Sequence, residues 1–155
     1  PKNIFLPLIA LLVFKVISTI YITTGMKLGL SVDEIARIPH LMMSSREDLE
    51  ALIATHGKII GIIFICLIGP LYEEIIFRGV VLDSCHKYLN FNLANTIQST
   101  LFATIHMSLF MFPLFFVFGF ITGILRKKSD GLLPGIIFHV VNNAIAIGVL
   151  LEQMG

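Results

Sequence analysis

The 155-residue chain predicts an all-α fold, a polytopic transmembrane helical bundle of about five spans. Three observations predict it. Hydrophobic residues make up 56% of the chain and charged residues 14%, and mean hydropathy is +0.92, above what the surface of a soluble domain tolerates. The apolar residues gather into runs near the length that crosses a bilayer, roughly 20 residues at 1.5 Å each. The runs are separated by connections that concentrate the charge. No internal repeat or low-complexity segment divides the chain, so residues 1–155 read as a single membrane domain. Residues 1–57 form a first span plus an interfacial segment, and 58–151 form the core helices.

The first span covers about residues 4–24. It is too long for the apolar core of a signal peptide and no small-residue cleavage pattern follows it, so it reads as retained. Pro1 in place of an initiator methionine leads us to expect a processed chain or one lacking upstream residues. Residues 25–57 are the one sizeable polar stretch. Ser31 ahead of Glu34 and Ser45 ahead of Asp48 are helix-capping pairs, so one or two short interfacial helices are expected there, broken at Pro39. Four further spans follow at about 58–82, 93–110, 112–126 and 132–151, the last begun by Pro134 and Gly135. Gly119 and Gly123 form a GxxxG pair on the fourth, a pattern that lets helices approach closely. The phenylalanine-rich run 110–120 reads as core packing or lipid contact.

Lysine and arginine in the short loops set the orientation. With five spans Lys2, Lys87 and the group Arg126, Lys127 and Lys128 share one side, and the positive-inside rule makes that side cytoplasmic. Lys27, Arg37 and Arg46 lie on the other side, in a longer segment mixed with acids, which counts for less. A net charge of +1 without a basic run excludes nucleic acid as a partner. The two cysteines, Cys66 in an apolar run and Cys85 near a helix end, suggest neither a disulfide framework nor a thiolate metal site.

The stretch PLYEEIIFRG, residues 70–79, puts Glu73, Glu74 and Arg78 inside the second span. At 1.5 Å per residue the carboxylates lie roughly 14 Å from the cytoplasmic end, near the midplane. A charge there costs about 2.5–3.5 kcal/mol on insertion scales and marks a functional site with a partner. Glu74 and Arg78 are four apart in the favourable order and can pair, while Glu73 is turned about 100° away and stays uncommitted. A structural ion network of all three is the plainer alternative. Pro70 removes one amide donor and leaves the carbonyl near Cys66 without its helical partner, opening the helix just before the carboxylates.

Two other spans bring polar groups to a similar depth. Phe102 and His106 are four apart on the third; His139 and Asn143 are four apart on the fifth, with Asn142 rotated away. His40, His56 and His86 fall in loops or at helix ends and carry no catalytic reading. One glutamate, two histidines and an asparagine in a membrane cavity suit hydrolysis. Glu73 takes a proton from water that His106 holds or polarises, and His139 with Asn143 donates to the oxyanion that follows. Alternatively Glu73, His106 and His139 bind zinc or another divalent metal. The spacing does not choose between the two, and the H-E-x-x-H helix of zincins is absent.

At these residues the chain resembles the CPBP intramembrane proteases, which include the type II CAAX prenyl endopeptidases and the Abi and bacteriocin-processing proteins. Their pattern EExxxR, FxxxH, HxxxN reads here as EEIIFR (Glu73, Glu74, Arg78), FATIH (Phe102, His106) and HVVNN (His139, Asn143), in order, over about residues 58–151. The resemblance implies that Glu73 and His106 activate water, that His139 and Asn143 stabilise the oxyanion, and that Glu74 and Arg78 support the site. It implies an integral protein of the bacterial plasma membrane, surrounded by lipid, that cleaves a peptide or membrane-protein substrate near the cytoplasmic face, including a lipid-modified one. Both metal-dependent and metal-free glutamate mechanisms come with it. Five spans are fewer than the family usually has. Three other classes compete: a proton-coupled transporter or channel component, which should show an internal repeat or paired broken helices; a b-type haem protein with His106 and His139 as axial ligands; and a non-catalytic membrane scaffold on the same fold.

Overall fold

The computed structural model describes residues 5–29, 51 and 53–154. The expected caps at Ser31 and Ser45 and the break at Pro39 lie outside the described residues. Within them the chain is helical between short turns, without a strand, in five main helices: α1 (Phe5–Lys27), α2 (Lys58–His86), α3 (Phe91–Ile105), α4 (Phe112–Ser129) and α5 (Leu133–Met154).

Helices α1 and α2 are long and apolar enough to cross a membrane, and α5 contains a shorter apolar stretch, Leu133–Val149. The outer face of α1 exposes Leu8, Leu12, Val16 and Ile20, as a lipid-facing helix should, and its inner face buries Pro7, Phe14 and Gly25. Phe14 carries most of that contact. Its ring meets Phe118 of α4 at 5.3 Å and Phe138 of α5 at 5.9 Å, both edge-on, the favoured aromatic geometry.

The third helix corrects the expected span 93–110. It stops at Ile105, and at about 22 Å it is shorter than the roughly 30 Å of a bilayer's hydrocarbon. His106 is its C-terminal cap, and Met107 takes a left-handed backbone with φ 50°. The run 107–111 is apolar enough to continue the span, but hydropathy reports affinity for lipid and says nothing about helix continuity. Pro113, without an N–H and fixed in φ, is instead in the first turn of α4.

The second helix is continuous but not uniform. Two π-helical stretches, Phe64–Ile68 and Ile75–Leu82, flank an α-helical turn, Gly69–Glu74, that carries both carboxylates. Such wide turns are rare and recur at functional sites. They also open a carbonyl next to the expected one. In the first π stretch Gly69 N–H reaches back five residues to the Phe64 carbonyl, so the Ile65 carbonyl, which it would bond in an α-helix, is released. The side chain of Asn143 donates to it at 3.2 Å.

Gly119 and Gly123 do bring two helices together. A β-carbon on Gly119 would lie 3.1 Å from the Ser99 Cα, and one on Gly123 only 1.8 Å from Asn95 Oδ1, so the backbone of α4 lies directly on α3. Phe118 lies buried in the aromatic core, which settles its part of the phenylalanine run as packing. At one end of the bundle Arg126 pairs with Asp83 at 2.9 Å, Lys127 lies over the Phe91 ring at 4.2 Å, and Asn90 caps α3 by accepting from Leu93 N–H at 3.0 Å. The C-terminal ends of α2 and α4, where the basic residues gather, thus share that end.

Candidate active site

Glu73, Glu74 and Arg78 of α2 and His139 of α5 meet in the interior. Glu74 and Arg78 are fully buried, and Glu73 and His139 are 5% and 4% exposed, so the charges must be balanced by one another rather than by water. Arg78 Nη1 lies 3.2 Å from Glu74 Oε1. His139 Nδ1 donates to the same oxygen at 3.1 Å, and its Nε2 faces Glu73 Oε2 at 3.5 Å. One imidazole therefore stands between the two carboxylates. Glu73 Oε2 has no hydrogen-bond partner among the described residues.

The guanidinium is held on three sides. The Phe102 ring lies 4.5 Å from its central carbon, a cation–π contact, and Nη2 reaches the Gly119 carbonyl at 3.4 Å. That carbonyl also accepts from Gln98 Nε2 at 2.9 Å and Thr122 Oγ1 at 3.0 Å. Gln98 is tied in turn to Asn95 Oδ1 and Ser99 Oγ, both at 2.7 Å, and Asn95 Nδ2 donates to the Phe120 carbonyl at 3.1 Å. Asn95, Gln98, Ser99 and Thr122 are all fully buried. The sequence reading missed this floor under Arg78, although Asn95, Gln98 and Ser99 at i, i+3 and i+4 form a polar stripe on one face of an apolar helix. In the sequence Gly135 reads only as a helix start. A β-carbon there would come within 2.8 Å of Glu74 Oε2, so the glycine makes room for the carboxylate.

His106 stands one ring away from the cluster. Its centroid is 4.6 Å from Phe102 and 4.2 Å from Phe115, on which it stacks, and Phe102 is 6.2 Å from His139. The Nδ1 of His106 lies 2.6 Å from the Phe102 carbonyl. A carbonyl only accepts, so Nδ1 carries the proton and the Nε2 lone pair is left for other work. Phe102 thus touches all three neighbours: it holds Arg78, orients His106 and separates that ring from His139. Asn143, one turn beyond His139, spends one amide hydrogen on the Ile65 carbonyl. The fold brings Glu73, Glu74, Arg78 and His139 into contact, places His106 close by, and ties Asn143 to the opened turn of α2.

The expected metal set of Glu73, His106 and His139 is not drawn together in this arrangement: among the described residues no three His, Cys, Asp or Glu side chains form a group that could hold an ion, and His106 lies across the Phe102 ring from His139.

The helices and the buried carboxylate–histidine cluster define an integral membrane protein built round an interior polar site. Its family follows: the chain belongs to the type II CAAX prenyl endopeptidase Rce1-like family, which it matches over residues 55–145. It is 30% identical over 93 residues to the "Putative membrane peptidase YdiL" of Bacillus subtilis (strain 168), a match covering 60% of this chain and 38% of that protein. It is 31% identical over 107 residues to the "Membrane-embedded CAAX protease MroQ" of Staphylococcus aureus (strain USA300), covering 64% of this chain and 43% of that one. The match thus spans about two fifths of the length of each relative. No solved structure matches the chain.

Proposed function

We propose that the chain is an intramembrane endopeptidase that hydrolyses a peptide bond near the cytoplasmic face of the membrane with water activated by Glu73 and His106. The observation that carries this reading is the buried cluster in which His139 bridges two carboxylates and one oxygen of Glu73 is left without a hydrogen bond. Glu74 and Arg78 cancel each other's charge. Neutrality of the buried group then leaves one proton for Glu73 and His139 to share, which is the equipment of a general base that later acts as an acid.

In this mechanism water placed between Glu73 Oε2 and His106 Nε2 loses its proton to the carboxylate as its oxygen attacks the substrate carbonyl. The carbonyl oxygen becomes an oxyanion, stabilised by a proton on His139 Nε2 and by the second amide hydrogen of Asn143. Collapse of the tetrahedral species expels the amine, which takes the proton held on Glu73. Glu74 fixes the His139 ring through Nδ1, and Arg78 fixes Glu74. The family description supports a prenylated carboxyl-terminal peptide as substrate, and a membrane-bound precursor is the second class.

The test is cleavage of quenched prenylated CAAX peptides and of membrane-anchored peptides by the purified chain in nanodiscs, beside Glu73→Gln and His106→Ala. Both variants are expected to lose at least about a hundredfold in kcat, the low end for a general base, while melting as the parent does. A Glu73→Gln protein that keeps its activity sinks the mechanism, and activity abolished by a chelator replaces it with a metal-dependent one. A colourless preparation disposes of the haem reading.

A further inference from the structure

Tyr21 lies on α1, outside the stretch that the family match covers, and no motif includes it. Its hydroxyl nevertheless donates to the Phe110 carbonyl at 2.7 Å, across 89 residues of sequence, and its ring packs on Phe110 at 5.1 Å. Phe110 belongs to the turn that carries His106 out of α3. That turn has an unusual construction. Met107 takes the left-handed backbone at φ 50°, which L side chains other than asparagine and aspartate seldom adopt, and its N–H bonds to the Thr104 carbonyl at 3.1 Å. Ser108 closes the far end, its carbonyl accepting from Phe112 N–H at 2.8 Å and its hydroxyl from Met111 N–H at 3.2 Å. Among the described backbone hydrogen bonds none ends on the Phe110 carbonyl, so Tyr21 supplies its partner.

The turn is thin cover for a residue in a catalytic position. Met107 and Leu109 are 89% and 94% exposed, so neither packs against the protein to hold the loop in shape. The remaining restraint comes from α1, which is fixed to the core one heptad earlier: Phe14 and Tyr21 are seven residues apart, two helical turns on one face, and Phe14 is wedged against Phe118 and Phe138. We propose that Tyr21 is a positioning residue for His106: by holding the Phe110 carbonyl it keeps the strained 106–111 turn in the one shape that stacks His106 on Phe115 and aims its Nε2 at the site. The inference rests on the proposed role of His106 in hydrolysis. It gives the first span a part in the chemistry beyond anchoring.

Tyr21→Phe keeps the ring and removes only the hydroxyl, so it tests the bond without removing the packing. In the full chain, on the peptides above, kcat is expected to fall about tenfold, equal to 1.36 kcal/mol in the barrier, with KM within twofold because Tyr21 does not touch substrate. Histidine-labelled protein gives a readout independent of activity. The ¹⁵N signals of the His106 ring, assigned by their loss in His106→Gln, should shift or broaden in Tyr21→Phe while those of His139 stay put. Unchanged kcat with a dead His106→Ala control, or unchanged His106 signals, overturns the proposal and leaves Tyr21 as an anchor that shows only in the melting temperature. Should His106→Ala stay active, the hydrolytic role of His106 fails separately, and the His106 ring signals alone decide whether Tyr21 positions the turn.

Discussion

Arg78 shows how tightly single residues are bound to one another in this interior. Its fully buried guanidinium has one carboxylate partner within 4 Å among the described residues, Glu74, which is itself fully buried and also holds His139. Removing one member of a buried pair costs about 3–5 kcal/mol because the other charge is stranded, whereas replacing both can be neutral. Arg78→Met should therefore melt well below the parent, and Glu74→Gln with Arg78→Met should melt above Arg78→Met alone; a double variant no more stable than the single would show that Glu74 is not what Arg78 neutralises. Spacing alone pointed to this pair, since four residues on a helix is one turn. Spacing could not place His139 between Glu73 and Glu74, because that contact depends on how α5 settles against α2, and Gly135, whose missing side chain permits it, looks in the sequence like any glycine after a proline.

At the scale of elements, the contact between α3 and α4 is the one the sequence states most openly, through the GxxxG of Gly119 and Gly123. What the sequence does not state is that their partners are polar. Asn95 occupies the space a Gly123 side chain would need, and it accepts from Gln98 while donating to Phe120. Gly123→Ala and Asn95→Ala should each lower the thermal midpoint in detergent, the first by a clash and the second by a lost amide. Together they should cost less than their sum by about 1 kcal/mol or more, since truncating Asn95 removes the atoms that the new methyl meets. Strict additivity would mean that α4 shifts away from α3 instead. The π-helical stretches of α2 and the early end of α3 escaped the sequence reading for one reason. Both are changes of backbone register within apolar segments, and a hydropathy window averages over them.

For the whole molecule, the arrangement of ends bears on where the site opens. The basic ends of α2 and α4 sit together, joined by the Arg126–Asp83 pair, and the turn after His106 lies at the other end of α3, where Tyr21 near the C-terminal end of α1 meets it. His139 is six residues into α5, about 9 Å from its basic end, whereas Glu73 sits near the middle of α2 and His106 at the opposite end of α3, so the site lies between the two ends of the bundle. The positive-inside rule predicts that the basic end faces the cytoplasm. The chain carries its own reporter: Cys85 lies near the basic end of α2 and is half-buried, whereas Cys66 is buried in the span. In a Cys66→Ser background a membrane-impermeant maleimide should label Cys85 in inverted vesicles and not in intact spheroplasts, and a cysteine at Tyr88, 88% exposed on the same loop, should report the same side more strongly. Labelling from outside the cell would put the basic end on the far face. That outcome would overturn the proposed orientation and leave the hydrolytic chemistry to be judged by the Glu73→Gln variant.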